Sequence, residues 1–185
     1  METIDQLRIA LGGVHPLAAT KVKPALDDFL HGFIAHSPFL VMSSSNASGD
    51  CDATPRGGKP GFVKVIDDRT LMLPDIGGNR LFQTFENFES NPKVGLLFMI
   101  PGIDVTVRVN GRVRRIDADE VRKLVAEPEI SWTDHNSGLV QGIVIDIDQT
   151  YFHCPRSFKF ADLWNTETQQ KNASTPLKEL VSKTG

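Results

Sequence analysis

Residues 61–98 read GFVKVIDDRTLMLPDIGGNRLFQTFENFESNPKVGLLF, and their periodicity decides the fold. Val63 and Val65 alternate with Phe62, Lys64 and Ile66, the period of a strand with one buried face. Asp67-Asp68-Arg69 makes a turn and TLMLP returns, so the segment reads as a hairpin. A helix follows. Gly77-Gly78 and Asn79 open it, Leu81, Phe82, Phe85 and Phe88 form its apolar face, and Asn91-Pro92 stops it. KVGLLFMIPG is short, continuous and apolar, the composition of a buried strand.

Strand patterns continue on both sides. Upstream, FLVMSSS from Phe39 is a short apolar run, and DCDATPRGGKPG after it is rich in turn formers. Downstream, DVTVRVNGRVRRI sets Val105, Val107 and Val109 against Thr106 and Arg108, with Asn110-Gly111 as a bulge or kink. DADEVRKLVAEP is a short helix whose acidic start suits the helix dipole. SGLVQGIVIDIDQTYFHCP is a long last strand, with Ile143, Ile145 and Ile147 opposed to Val144, Asp146 and Asp148. At the N-terminus Leu7, Ile9 and Leu11 precede a Gly-Gly break. Leu26, Phe29, Leu30, Phe33 and Ile34 then recur at helical spacing until Pro38.

Hairpin order without regular strand–helix alternation excludes a doubly wound sheet. The expectation is a mainly β fold, a small β-barrel of six antiparallel strands with flanking helices, since closure removes exposed edges. The chain divides into a helical segment packing on the barrel (1–38), the barrel domain (39–165) and a polar C-terminal tail (166–185).

The composition narrows function. The 185 residues suit one domain, and a net charge of −3 without a basic block argues against a nucleic-acid surface. The apolar run 94–101 is too short to cross a bilayer, and the acidic N-terminus is unlike a secretory signal, so no membrane partner is expected. Two cysteines make no disulfide framework, and a reduced, cytoplasmic setting is expected.

Cys154 sits in YFHCPRSFKF. A phosphate-cradling cysteine loop needs an arginine six residues on, where this chain has Phe160; Arg156 comes too early. The local signature of papain-like cysteines is missing, and Cys51 is the only other cysteine, so neither nucleophile nor zinc site is expected. His15, His31, His36, His135 and His153 are scattered. The best anion site lies around the hairpin. Lys64 is a charge in an apolar strand, Asp75 follows the returning strand, and Asn79 and Arg80 stand at a helix start, where free N–H groups favour phosphate. Arg56 offers a third charge. The competing reading makes Lys64 a snorkelling side chain and Arg80 a solvated one.

DATPRGGKPGFVKVIDDRTLMLPDIGGNRLFQTFENFESNPKVGLLFMIPG, VTVRVNGRVRRI and HCPRSFKFADLW together resemble the pyridoxamine 5'-phosphate oxidase-like family of FMN-binding split barrels, from about Phe39 to Trp164. The TPRG and HCPR–LW pieces resemble an oxidase-related, flavin-nucleotide-binding subgroup. The resemblance implies a six-stranded antiparallel Greek-key barrel working as a homodimer, with FMN in the subunit interface. Lys64, Asn79 and Arg80 would contact the FMN phosphate, while Val63, Pro74 and Asp75 would line the flavin ring or ribityl chain, largely through backbone atoms. Thr106 stands where vitamin-making relatives commonly carry a flavin-contacting glutamine, and Arg56 would lie near the ring. Arg156 would complete the anion site or bind substrate from the neighbouring subunit, or else pair with a nearby acid, and Trp164 would pack at the interface. The segments with which vitamin-making relatives hold pyridoxal phosphate have no match, so pyridoxamine phosphate oxidation is not expected. The resemblance implies an FMN-dependent oxidoreductase transferring hydride to or from an unidentified small substrate, with Arg56 or Arg156 stabilising reduced flavin. Two alternatives stay open. One is a flavin carrier or sensor without turnover; the other is a barrel holding a deazaflavin, or a haem on His153.

Overall fold

The inward residues of the strands converge on one apolar cluster, and this forces the sheet to curl. Leu40, Met42, Val63, Leu71, Leu73, Leu96, Phe98, Val107, Val109, Ile143 and Ile145 all belong to it. The computed structural model describes residues 3–13, 20–77, 81–125 and 138–177. Seven strands are present among them: β1 (Phe39–Ser45), β2 (Cys51–Gly57), β3 (Lys64–Asp67), β4 (Thr70–Ile76), β5 (Lys93–Met99), β6 (Thr106–Asp117) and β7 (Leu139–His153). They form one antiparallel sheet in the order β2-β1-β5-β6-β7-β4-β3.

This corrects the six-stranded barrel. The additional strand is β2, which the turn-rich composition of DCDATPRGGKPG conceals. Pro55 is tolerated there because β2 is an edge strand paired with β1 alone. Nor does the sheet close: among the described residues no ladder joins β2 to β3.

The long hairpin of β6 and β7 is the spine of the sheet, paired from Thr106–His153 to Asp117–Gln141. Its register shifts between Asn110 and Gly111, where the partner jumps from Gln149 to Ile147. Asp148 is therefore the extra residue of a bulge, and both Ile147 and Thr150 can face inward. Gly111 is required at this point, because a Cβ there would lie 2.3 Å from the Asp146 carbonyl oxygen.

Six helices occur among the described residues. Thr3 and Gln6 cap α1 (Ile4–Ala10), which buries none of its residues. α2 (Asp28–His36) starts at Asp27, whose carboxylate accepts from the Leu30 N–H, and it packs Leu30, Phe33 and Ile34 into the core. α3 (Gln83–Ser90) carries the chain back to β5. It begins later than the sequence pattern implies, after Phe82 with φ 58°; Leu81 and Phe82 are exposed, and Thr84, Asn87 and Phe88 face inward. Asn87 donates to Ser44 Oγ and Thr84 to Asp52, which ties this helix to β1 and β2. α4 (Ala118–Leu124), closed by an Asp117–Glu120 capping box, covers a second cluster of Met72, Ile116, Val121 and Val144 on the outer face. α5 (Arg156–Phe160) and α6 (Thr166–Ala173) follow β7. α6 forms within the segment read as a tail and buries no residue. No helix among the described residues is long and apolar enough to cross a membrane.

Candidate functional site

β3 is only four residues long and pairs with Thr70–Met72, so the second half of β4 has β7 as its one sheet neighbour. Pro74, which lacks an N–H, suits this half-free stretch. Arg56 projects from β2 into the gap. It lies opposite Leu40 on the inward face, and its Nη1 is 3.6 Å from Asp75 Oδ1. An ion pair thus spans an opening that no backbone ladder of the described residues crosses.

The pair continues into a chain of side chains. Gln141, opposite Asp75 on β7, donates from Nε2 to Asp75 Oδ2 at 3.0 Å. Its Oε1 accepts from Arg115 Nε at 2.8 Å. The neighbours dictate this amide orientation, since a carboxylate only accepts and a guanidinium only donates. The Arg115 guanidinium also lies 5.5 Å from the centre of the Phe85 ring. Arg56 Nε is buried and makes no hydrogen bond. A buried donor without a partner costs about 1–3 kcal/mol, which favours an acceptor at this point.

The remaining expected residues are distributed around this opening and beyond it. Lys64 is the first residue of β3, beside the same gap. Val63 and Val65 pack on the core, so Lys64 takes the opposite face, with Met72 across from it. Val63 is buried, which leaves its backbone for any ligand contact. Asp75 has both carboxylate oxygens engaged, by Arg56 and Gln141. Asn79 and Arg80 lie outside the described residues. Thr106 is buried at the other end of β6, opposite Met99 and His153. Arg156 is exposed on α5, its guanidinium 5.1 Å from the Phe160 ring centre. The structure therefore joins Arg56 and Asp75 on the inward face at the opening, sets Lys64 and Pro74 on the outward face along its border, and places Thr106 and Arg156 at the far end of the β6–β7 hairpin. Arg56, expected in a turn, stands on a strand.

Sequence reasoning did not connect Gln141, Arg115 or Phe85 with Asp75. The alternation of β7 puts Gln141 in phase with Ile143, but nothing local says that it faces Asp75. Trp164 packs within its own chain, stacked on Phe158, and its indole N–H donates to the Ile103 carbonyl. Cys51 and Cys154 are free and exposed, and no group of three metal-ligating side chains occurs among the described residues.

A groove of about 630 Å³ lies on the outer face, with Ser43, Ala53, Gly95 and Asn110 side by side across β2, β1, β5 and β6. Asp148 closes one end, 2.6 Å from Lys93 Nζ. The hydrogen bond from Lys93, with Arg112 nearby, holds the Asp148 carboxyl below its ordinary value. Asp27 is lowered likewise by Lys23 and the Leu30 N–H. Both carboxylates are well away from the opening.

A sequence model of pyridoxamine 5'-phosphate oxidase matches residues 26–154. No curated protein matches the chain significantly. Among solved structures, a candidate pyridoxamine 5'-phosphate oxidase from Lactobacillus delbrueckii superposes with a TM-score of 0.53 at 18% identity, covering 71% of this chain and 99% of that one. HupZ from Group A Streptococcus gives a TM-score of 0.51 at 15% identity, covering 68% of this chain and 91% of its own. At such identities the likeness is one of fold.

Proposed function

The chain belongs to the pyridoxamine 5'-phosphate oxidase family, and from that premise we propose that it binds FMN and acts as a flavin-dependent oxidoreductase on a small substrate. The observation that carries this reading is Arg56 at the opening, with a buried Nε that lacks an acceptor and with Lys64 bordering the same gap. A phosphorylated flavin brings what such a site lacks, an anion and several oxygen acceptors. Lys64, with Asn79 and Arg80, would hold the phosphate. Arg56 would donate to the ligand, and the backbones of Val63, Pro74 and Asp75 would line it. Thr106 and Arg156 lie too far along the hairpin for the same copy's site, so they would serve a second copy's flavin in a homodimer. The half-buried Val41 and Leu97 and the groove beside them would then form the contact face.

Bound flavin supplies the redox chemistry by taking up or giving a hydride. The protein's part is to bind, orient and neutralise charge. The geometry of Asp75 supports that division of labour, because both of its carboxylate oxygens are engaged by Arg56 and Gln141. The same observation leaves a flavin carrier or sensor as the second reading.

The test is an absorption spectrum of the purified protein, with released cofactor identified by mass. A flavin spectrum and the mass of FMN are expected. A colourless protein that also ignores added FMN would sink the reading. Anaerobic bleaching by NAD(P)H separates an oxidoreductase from a carrier.

A further inference from the structure

We propose that Gln141 and Arg115 are positioning residues of the flavin site, acting through Asp75 on Arg56; the inference rests on the flavin reading above. The four side chains form one continuous chain across β2, β4, β7 and β6: Arg56 Nη1 to Asp75 Oδ1 at 3.6 Å, Gln141 Nε2 to Asp75 Oδ2 at 3.0 Å, and Arg115 Nε to Gln141 Oε1 at 2.8 Å.

The physical argument starts at the loose end. The Arg56–Asp75 separation is longer than a hydrogen bond, so this ion pair by itself orients the guanidinium weakly. Orientation has to come from the carboxylate, and the carboxylate is held by Gln141. Gln141 cannot flip without setting its amide donors against the guanidinium of Arg115 and its carbonyl against Asp75. Arg115 in turn rests on the Phe85 face of α3. Each link removes a freedom from the next, and the sum fixes where Arg56 Nε points. The chain carries two guanidinium charges against one carboxylate, so a net positive charge remains for an anionic ligand. It also crosses the opening between β2 and β4, so side chains here join what the backbone leaves apart.

The test is a double-mutant cycle read as FMN affinity, by quenching of flavin fluorescence, with urea midpoints measured beside it. Arg56→Ala should weaken FMN binding by about tenfold or more, as expected for one charge-assisted hydrogen bond. Gln141→Leu should weaken it several-fold with little change in the urea midpoint. In the Arg56→Ala background Gln141→Leu should cost nothing further, because its action runs through Arg56. Arg115→Met replaces an exposed side chain, and it should behave as Gln141→Leu does, with the urea midpoint as its control. Unchanged affinity in both Gln141→Leu and Arg115→Met, or losses that simply multiply with that of Arg56→Ala, would overturn the positioning role while the flavin reading stands. Failure of the unsubstituted protein to bind FMN would overturn both.

Discussion

Arg56 illustrates how much of a residue's role depends on what lies opposite it. As one charge in a turn-rich string it is unremarkable; on the inward face of an edge strand it is a half-buried cation with one unpaired donor. Lys64 was legible sooner, because a charge amid apolar alternation stands out in the string itself. Lys64→Ala combined with Arg80→Ala should weaken FMN binding by several kcal/mol, since each charge-assisted contact is worth about 1.5–3 kcal/mol. Titration with FMN checks this, and unchanged affinity would mean that the phosphate is bound elsewhere. Gly111 makes a prediction about stability. A Cβ there meets the Asp146 carbonyl oxygen at 2.3 Å, and backbone in a paired ladder cannot yield cheaply. Gly111→Ala should therefore destabilise the protein by about 1–3 kcal/mol, visible as a lower urea midpoint.

Helices and strands differ in how far their local chemistry reveals them. α4 announces itself through Asp117 and Glu120, and α2 through its apolar spacing. β2 does not, because an edge strand needs few β-formers and admits proline. At α2 the cap and the charge can be separated by experiment. The Asp27 carboxyl is held below 3.8 by Lys23 and the Leu30 N–H. A lowered folded-state pKa means that its contribution is present above the unfolded value and is lost as pH falls through the folded one. Asn caps about as well as Asp but carries no charge. The stability gap between the protein and Asp27→Asn should thus be constant above about pH 5 and vanish below the lowered pKa. Urea melts across that range check it. Added salt should shrink the gap, because the pair is exposed. A gap independent of pH would show that the carboxylate charge contributes nothing.

At the scale of the whole molecule, the open sheet poses the main question. β2 and β3 are edges, and the groove and half-buried apolar residues lie on an outer face over which no helix of the described residues packs. The proposed homodimer would cover that face and bring Thr106 and Arg156 to a second copy's flavin. Sedimentation should then give a particle of twice 20.4 kDa, and a monomer at micromolar concentration would remove the shared-site arrangement. The sequence by itself determined the antiparallel β character, most strand positions and the family, because alternation, turn chemistry and motif order are local properties of the string. It also singled out Lys64 as a charge needing an explanation. Only the tertiary structure decided that there are seven strands rather than six, that the sheet stays open beside β4, and that Gln141 and Arg115 stand behind Asp75 and Arg56. These are facts of register and curvature, set by which inward faces must share one apolar core across residues up to about a hundred positions apart, and no local pattern encodes such pairings.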